Sequence, residues 1–136
     1  MKIVSKLPGS DPTVYDVVGG APFFERLVDA FYRRVEADPV LLPLYPEPED
    51  LGSARHRLAL FLIEYWGGPT TYSDARGHPR LRMRHAPYGI GLTERDHWMS
   101  AMLGALDELA PAPGVRERFD AYFAMAADSM INQPEG

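Results

Sequence analysis

Between Tyr65 and Tyr88 the chain reads YWGGPTTYSDARGHPRLRMRHAPY, and the way this stretch interrupts regular structure organises the sequence on either side of it. Gly67-Gly68-Pro69 ends a helix firmly, because glycine loses the most backbone freedom in a helix and proline cannot donate the next ladder hydrogen bond. Thr70 to Arg80 shows no period and reads as irregular, while Leu81 to Ala86 has room for a short helix before Pro87. That short segment carries His85 one turn after Leu81, so the imidazole faces whatever Leu81 faces. From Arg76 through Thr93 the chain holds Arg76, Arg80, Arg82 and Arg84 but no carboxylate. In a chain of net charge -5 this is a local cationic excess where an anion should dock.

Upstream of the break, residues 1–10 contain Pro8, Gly9 and Ser10 without helical period and read as a mobile arm, leaving 11–136 as one domain. Asp11-Pro12 predicts the cap and first turn of a short helix that Gly19-Gly20 ends. From Pro22 to about Ala37, Phe24, Leu27, Val28, Phe31 and Val35 recur at the three-and-four spacing of one helix face, with Tyr32 beside them. Asp38-Pro39 stops that helix, and Pro43, Pro46 and Pro48 place Tyr45 in a rigid bend. Ser53 predicts the cap of a third helix with Ala54, Leu58, Phe61, Leu62 and Tyr65 inward.

Downstream, Thr93 and Asp96 suggest a capping box opening a helix whose face is Trp98, Met102, Leu106 and Leu109, ended by Pro111. The last helix runs from about Gly114 to Ile131 with Val115, Phe119, Tyr122, Phe123, Ala126 and Met130 inward. No segment alternates as a strand does and no repeat is present, so the fold class is all-α, two longer helices before the break and two after it, expected as antiparallel pairs. Helices of about 12 to 18 residues span roughly 18 to 27 Å, enough to sandwich a flat ligand of about 10 Å.

The acidic balance argues against broad binding of nucleic acid or anionic membranes, since the long-range field repels phosphates. The absence of cysteine removes disulfides, thiolate nucleophiles and thiolate metal sites, and makes the cytoplasm the simplest home. No stretch reaches the roughly 20 apolar residues of a membrane span. Of the four histidines, His56 lies between Arg55 and Arg57 on an outward face, His97 sits off the main apolar face beside Trp98, and His78 precedes Pro79 in a loop; surface or capping roles suit all three. His85 with its arginines differs, because one haem would use both features: an iron that accepts neutral imidazole and two propionates that guanidiniums can pair. Tyr32, Tyr45 and Trp98 each carry a hydrogen-bond donor on a large apolar ring, although aromatics at helical spacing are most often plain core.

From Tyr15 to about Asn132 the chain resembles the truncated haemoglobins of group II, the type common in actinobacteria. The resemblance is carried by YWGGPTTYS at Tyr65 to Ser73 and RGHPRLRMRHAPY at Arg76 to Tyr88, around that group's proximal haem histidine. VVGG from Val17, FYRRV from Phe31, LYPE from Leu44 and ERDHW from Glu94 are similar in order and approximate spacing. It implies a two-over-two helical sandwich, a truncated globin-like fold, holding haem b (iron protoporphyrin IX) with His85 as the iron ligand. Tyr32, Tyr45 and Trp98 match the family's distal residues that meet a bound ligand, and Ala54 stands where many globins place a distal histidine. Leu58 and Phe61 would wall the pocket, and Arg57 and Arg84 would pair the haem propionates, with Tyr72 a further candidate and Arg76, Arg80 and Arg82 solvated. Pro48 looks like an added residue in the bend, close enough to Tyr45 to shift its hydroxyl.

The resemblance further implies an oxygen-binding or storage protein taking oxygen and other diatomic ligands. The alternative is a redox enzyme that detoxifies nitric oxide or peroxide, as a nitric oxide dioxygenase or a peroxidase-like activity, with an external reductase as partner. A haem-free helical module is the third reading, and the oligomeric state, a homo-oligomer included, is left open.

Overall fold

The computed structural model describes residues 12–45, 51–77 and 89–132. Among these residues the regular elements are helices: α1 (Val14–Val17), α2 (Ala21–Glu36), α3 (Gly52–Tyr65), α4 (Thr71–Arg76), α5 (Leu92–Leu109) and α6 (Pro113–Ser129), with a 3-10 turn at Leu42–Leu44. Helix α2 packs against α3 on one side and, most extensively, against α5 on the other; α5 packs on α6 and α3 on α4. The pair α2–α3 thus lies over the pair α5–α6, a two-over-two helical sandwich of the truncated globin kind. No helix among the described residues is long and apolar enough to cross a membrane.

The apolar stripe on α2 makes it the central element. Phe24, Leu27, Val28, Phe31 and Val35 are all buried, as their spacing predicts, and Phe23, Ala30 and Tyr32 join them. Phe24 and Phe31 meet Phe119 and Phe123 of α6 and Met102 and Leu106 of α5 in one cluster of fully buried side chains. Burial of each such side chain stabilises by about 1.5 to 3 kcal/mol, whereas exposed ion pairs such as Arg33–Glu108 contribute about 0 to 1 kcal/mol, so packing decides the fold.

Several local expectations shift. The cap of α1 is Thr13 rather than Asp11: its hydroxyl accepts from the Asp16 N–H at 3.1 Å, and Asp16 in turn accepts from the Thr13 N–H at 3.1 Å. Helix α3 starts at Gly52, and Ser53, expected as its cap, lies in the first turn and accepts from Arg57 at 2.6 Å. Thr70 to Arg80, expected to be irregular, contains α4, because Glu64 reaches across from α3 to accept the Ser73 N–H at 2.9 Å and the Ser73 hydroxyl. At the start of α5 it is Glu94, not Asp96, that reaches back, accepting the Gly91 N–H at 2.8 Å. Tyr65, expected inward, is 50% exposed, while Trp66 beside it is buried.

The glycines of the central break do more than end α3. Gly67 has φ +111°, and a Cβ placed on it would lie 2.4 Å from the Thr13 Cβ; on Gly68 it would lie 2.6 Å from the Tyr15 ring. Only at such close approach can the Tyr15 N–H donate to the Trp66 carbonyl at 2.9 Å and dock α1 against the end of α3. Gly67→Ala should therefore destabilise by about 2 kcal/mol or more, through left-handed strain and the clash with Thr13 together. A melting temperature equal to that of the parent in thermal denaturation would contradict this account of the joint.

Candidate functional site

Helices α2 to α6 enclose an apolar cavity of about 480 Å³. That lies within the roughly 300 to 1,000 Å³ typical of small-molecule pockets. Its walls are aromatic and aliphatic, with Phe31 from α2, Leu58 and Phe61 from α3, and Phe123 from α6. Ala54, on the first turn of α3, lines it with no hydrogen-bonding group. Polar function comes from Tyr32 of α2, Tyr45 after the 3-10 turn, and Trp98 of α5, all on the lining.

Tyr32 and Tyr45 are in ring contact at 5.6 Å, with planes at 69°, and their hydroxyls hydrogen-bond to each other. Burial pushes Tyr32 up to about 12, partly offset by the hydrogen bond from Tyr45 and by the charges of Arg57 and Arg55. Tyr45 is raised well above the ordinary phenol range, first by burial and then by Tyr32. One hydroxyl of the pair donates to the other, which leaves the second proton to be donated to a guest. Trp98 is wedged between Phe31 at 5.3 Å and Phe123 at 5.8 Å, so its indole sits in a fixed aromatic cluster.

Of the residues singled out from the sequence, Tyr32, Tyr45, Ala54, Arg57, Leu58, Phe61, Tyr72 and Trp98 line this one cavity. His85 and Arg84 lie outside the described residues, as does His78. The segment that carries them leaves the described chain after Gly77 and returns at Gly89, and the adjoining residues Arg76 and Ile90 both line the cavity. Ile90 is held by a reciprocal pair: its N–H donates to the Asn132 Oδ1 at 2.9 Å, and the Asn132 N–H donates to its carbonyl at 2.8 Å. Tyr72 is buried on α4 with its ring 5.6 Å from Phe61, held there by the Glu64–Ser73 clamp.

Two arginines stand closer to the site than the sequence reading placed them. Arg76, expected to be solvated, is exposed yet lines the cavity, with its guanidinium 5.9 Å over the Tyr72 ring, which marks it as a cation at the mouth. Arg55 packs its guanidinium 5.9 Å from the Tyr32 ring while pairing with Glu36 at 3.4 Å and Asp29 at 3.9 Å, so it braces Tyr32 from behind. No spacing signals this, because the contact exists only where α3 crosses α2. His56 is exposed, as expected, whereas His97 is half-buried against Asp38. An apolar cavity lined by arginines and by the donors of Tyr32, Tyr45 and Trp98 suits a flat guest with an anionic edge and a small polar ligand beside it.

The profile of the family described as bacterial-like globin matches residues 13–132. Group 2 truncated hemoglobin YjbI of Bacillus subtilis is 36% identical over 121 residues, covering 89% of each chain. Among solved structures, a thermostable hemoglobin from the actinobacterium Thermobifida fusca is 55% identical with a TM-score of 0.88, covering 91% of this chain and 100% of its own. A truncated oxygen-avid haemoglobin from Bacillus subtilis is 35% identical with a TM-score of 0.83, covering 89% of this chain and 100% of its own. The aromatic cavity between the helix pairs is thus set in a chain that belongs to the bacterial-like globin family, in its group II truncated haemoglobin branch, a family of haem proteins.

Proposed function

We propose that this protein binds oxygen and other diatomic ligands at haem b held by His85, as an oxygen-binding or storage protein of the cytoplasm. The observation that carries the proposal is the convergence of Tyr32, Tyr45 and Trp98 on one apolar cavity whose lining also includes both residues flanking the described ends around His85. The cavity's lining suits the porphyrin: aromatic walls for the ring, and Arg57 and Arg76 as cations for its carboxylates, to which Arg84 would add. When bound, haem would supply an iron able to accept the neutral imidazole of His85 and a small ligand. The oxygen-avid character named for the Bacillus subtilis relative supports the same choice of ligand.

The work of the chain itself is to exclude water and supply donors. Leu58 and Phe61 offer no competing hydrogen bonds, and Ala54 leaves the position beside them without a polar side chain. A diatomic ligand that gains negative charge is then met by the Tyr32 hydroxyl, oriented by Tyr45, and by the Trp98 indole. Each neutral hydrogen bond is worth about 0.5 to 1.5 kcal/mol net, which corresponds to roughly two- to tenfold in the rate of ligand release.

Titration of the purified protein with haem should produce a Soret band that His85→Ala shifts or abolishes, and a variant with the parent's spectrum would refute His85 as the iron ligand. Trp98→Phe should release oxygen about two- to tenfold faster in stopped-flow measurements. Sustained consumption of nitric oxide or peroxide with an added reductase would instead make the protein a redox enzyme. Because Tyr32 titrates at about 12 when folded and near 10 when unfolded, the unfolded chain loses its proton first. Stability should accordingly fall as pH rises from about 10 to about 12, less steeply in Tyr32→Phe, as urea melts across that range would show.

A further inference from the structure

Tyr45 and Trp98 come from different parts of the chain, and the side-chain pair Asp38–His97 joins the segments that carry them. Asp38 follows the end of α2 and builds the turn after it. Its Oδ1 accepts from the N–H of Val40 at 2.8 Å and of Leu41 at 3.2 Å, and its carbonyl accepts from the Leu42 N–H at 3.0 Å. The next bonds run Leu44 N–H to the Leu41 carbonyl at 2.9 Å and Tyr45 N–H to the Leu42 carbonyl at 3.2 Å. Asp38 is therefore linked to Tyr45 by overlapping turns rather than by a free hinge. From α5, His97 Nδ1 lies 2.8 Å from the Asp38 Oδ2 and 3.1 Å from Oδ1. His97 immediately precedes Trp98, and neighbours on a helix point about 100° apart, so one side chain can hold the turn while the next lines the cavity.

We propose that the Asp38–His97 pair is a positioning latch that fixes the Tyr45 turn against α5, and thereby sets how firmly the cavity holds a diatomic ligand; this rests on the haem reading above. The carboxylate is committed on both sides, to the backbone of the turn and to the imidazole, so the helix and the turn share one anchor. Burial alone would push Asp38 up, but the hydrogen bonds from His97, Val40 and Leu41 together hold it below the ordinary carboxylate range. The carboxylate therefore stays ionised, which strengthens the bond to the imidazole N–H. A partly exposed pair of this kind adds little to global stability, so its consequence is local, in the placement of the two donors it links.

The test compares the haem-loaded parent with His97→Leu, which removes the bond, and His97→Gln, which keeps a side-chain donor, with Asp38→Asn as a second route should His97→Leu fail to fold. In His97→Leu, or in Asp38→Asn if it must stand in, oxygen release should accelerate about two- to fivefold. The stretching frequency of added carbon monoxide should shift, and the Leu44 and Tyr45 amides should exchange hydrogen faster. His97→Gln should return all three readings towards the parent. A folded His97→Leu protein with parental release rate and carbon monoxide frequency overturns the latch, as does a lowered melting temperature with those signatures unmoved. If the parent itself takes up no haem, the haem reading fails and the latch falls with it; if the parent binds haem and oxygen while the variants match it, only the latch fails.

Discussion

Helix α2 must be covered on more sides than one neighbour can reach, and the way that cover is divided shapes the molecule. Eight of its sixteen residues are buried, with α3 taking one side and α5 the other. Along its N-terminal half the cover is solid. Phe23 and Phe24 both meet Phe119, at 5.7 and 6.2 Å, and Phe119 is closed from beyond by Trp66 at 4.9 Å. At the C-terminal half, Phe31 and Tyr32 line the cavity instead. One amphipathic helix thereby forms both the closed core and the wall of the site, so rigidity in the first is passed to the second without an intervening loop.

The parts of this arrangement written in residue spacing were readable from the chain. The three-and-four repeat of α2, the Gly67-Gly68-Pro69 break and the placement of two long helices on each side rest on local stereochemistry, which acts wherever those residues stand. The caps were less legible, because Asp11, Ser53 and Thr93 are all competent caps by type, and the choice among neighbouring candidates depends on where the rest of the chain needs the helix to begin. Helix α4 was missed for a related reason: its six residues are too few to nucleate alone, and the carboxylate that fixes them comes from Glu64, nine residues earlier.

Within the site, the aromatic donors were named by resemblance and brought to one cavity by the fold, but Arg55 and the Asp38–His97 pair had no signature in the sequence, and Arg76 was legible only as one of the arginines of the local cationic excess. Arg55 and Asp38 act through a neighbour from another element, Arg55 on the ring of Tyr32 and Asp38 on an imidazole 59 positions away, whereas Arg76 lies over Tyr72 one turn earlier on its own helix. Charged residues on helix surfaces are most often solvated, so a reading by type assigns them to solvent. For Arg55 and Asp38, what overrides that default is crossing geometry, which no single segment encodes.

The chemistry of the cavity follows from a conflict that the tyrosine pair resolves. An apolar pocket is needed to exclude water, yet a donor for a small ligand is a polar group, and burying a hydroxyl without a partner costs more than a hydrogen bond to a transient guest returns. Pairing the two hydroxyls gives each a permanent partner, while one proton of the pair remains available to the cavity. Burial keeps both phenols protonated far above neutral pH, so this donor persists over the whole range in which the protein is expected to work. A histidine at the position of Ala54 would meet the same need with a group that titrates near neutrality. The tyrosine arrangement gives the cavity a donor that does not itself titrate near neutrality, on condition that the turn bearing Tyr45 is held in place, and Asp38 is the residue on which that turn is built.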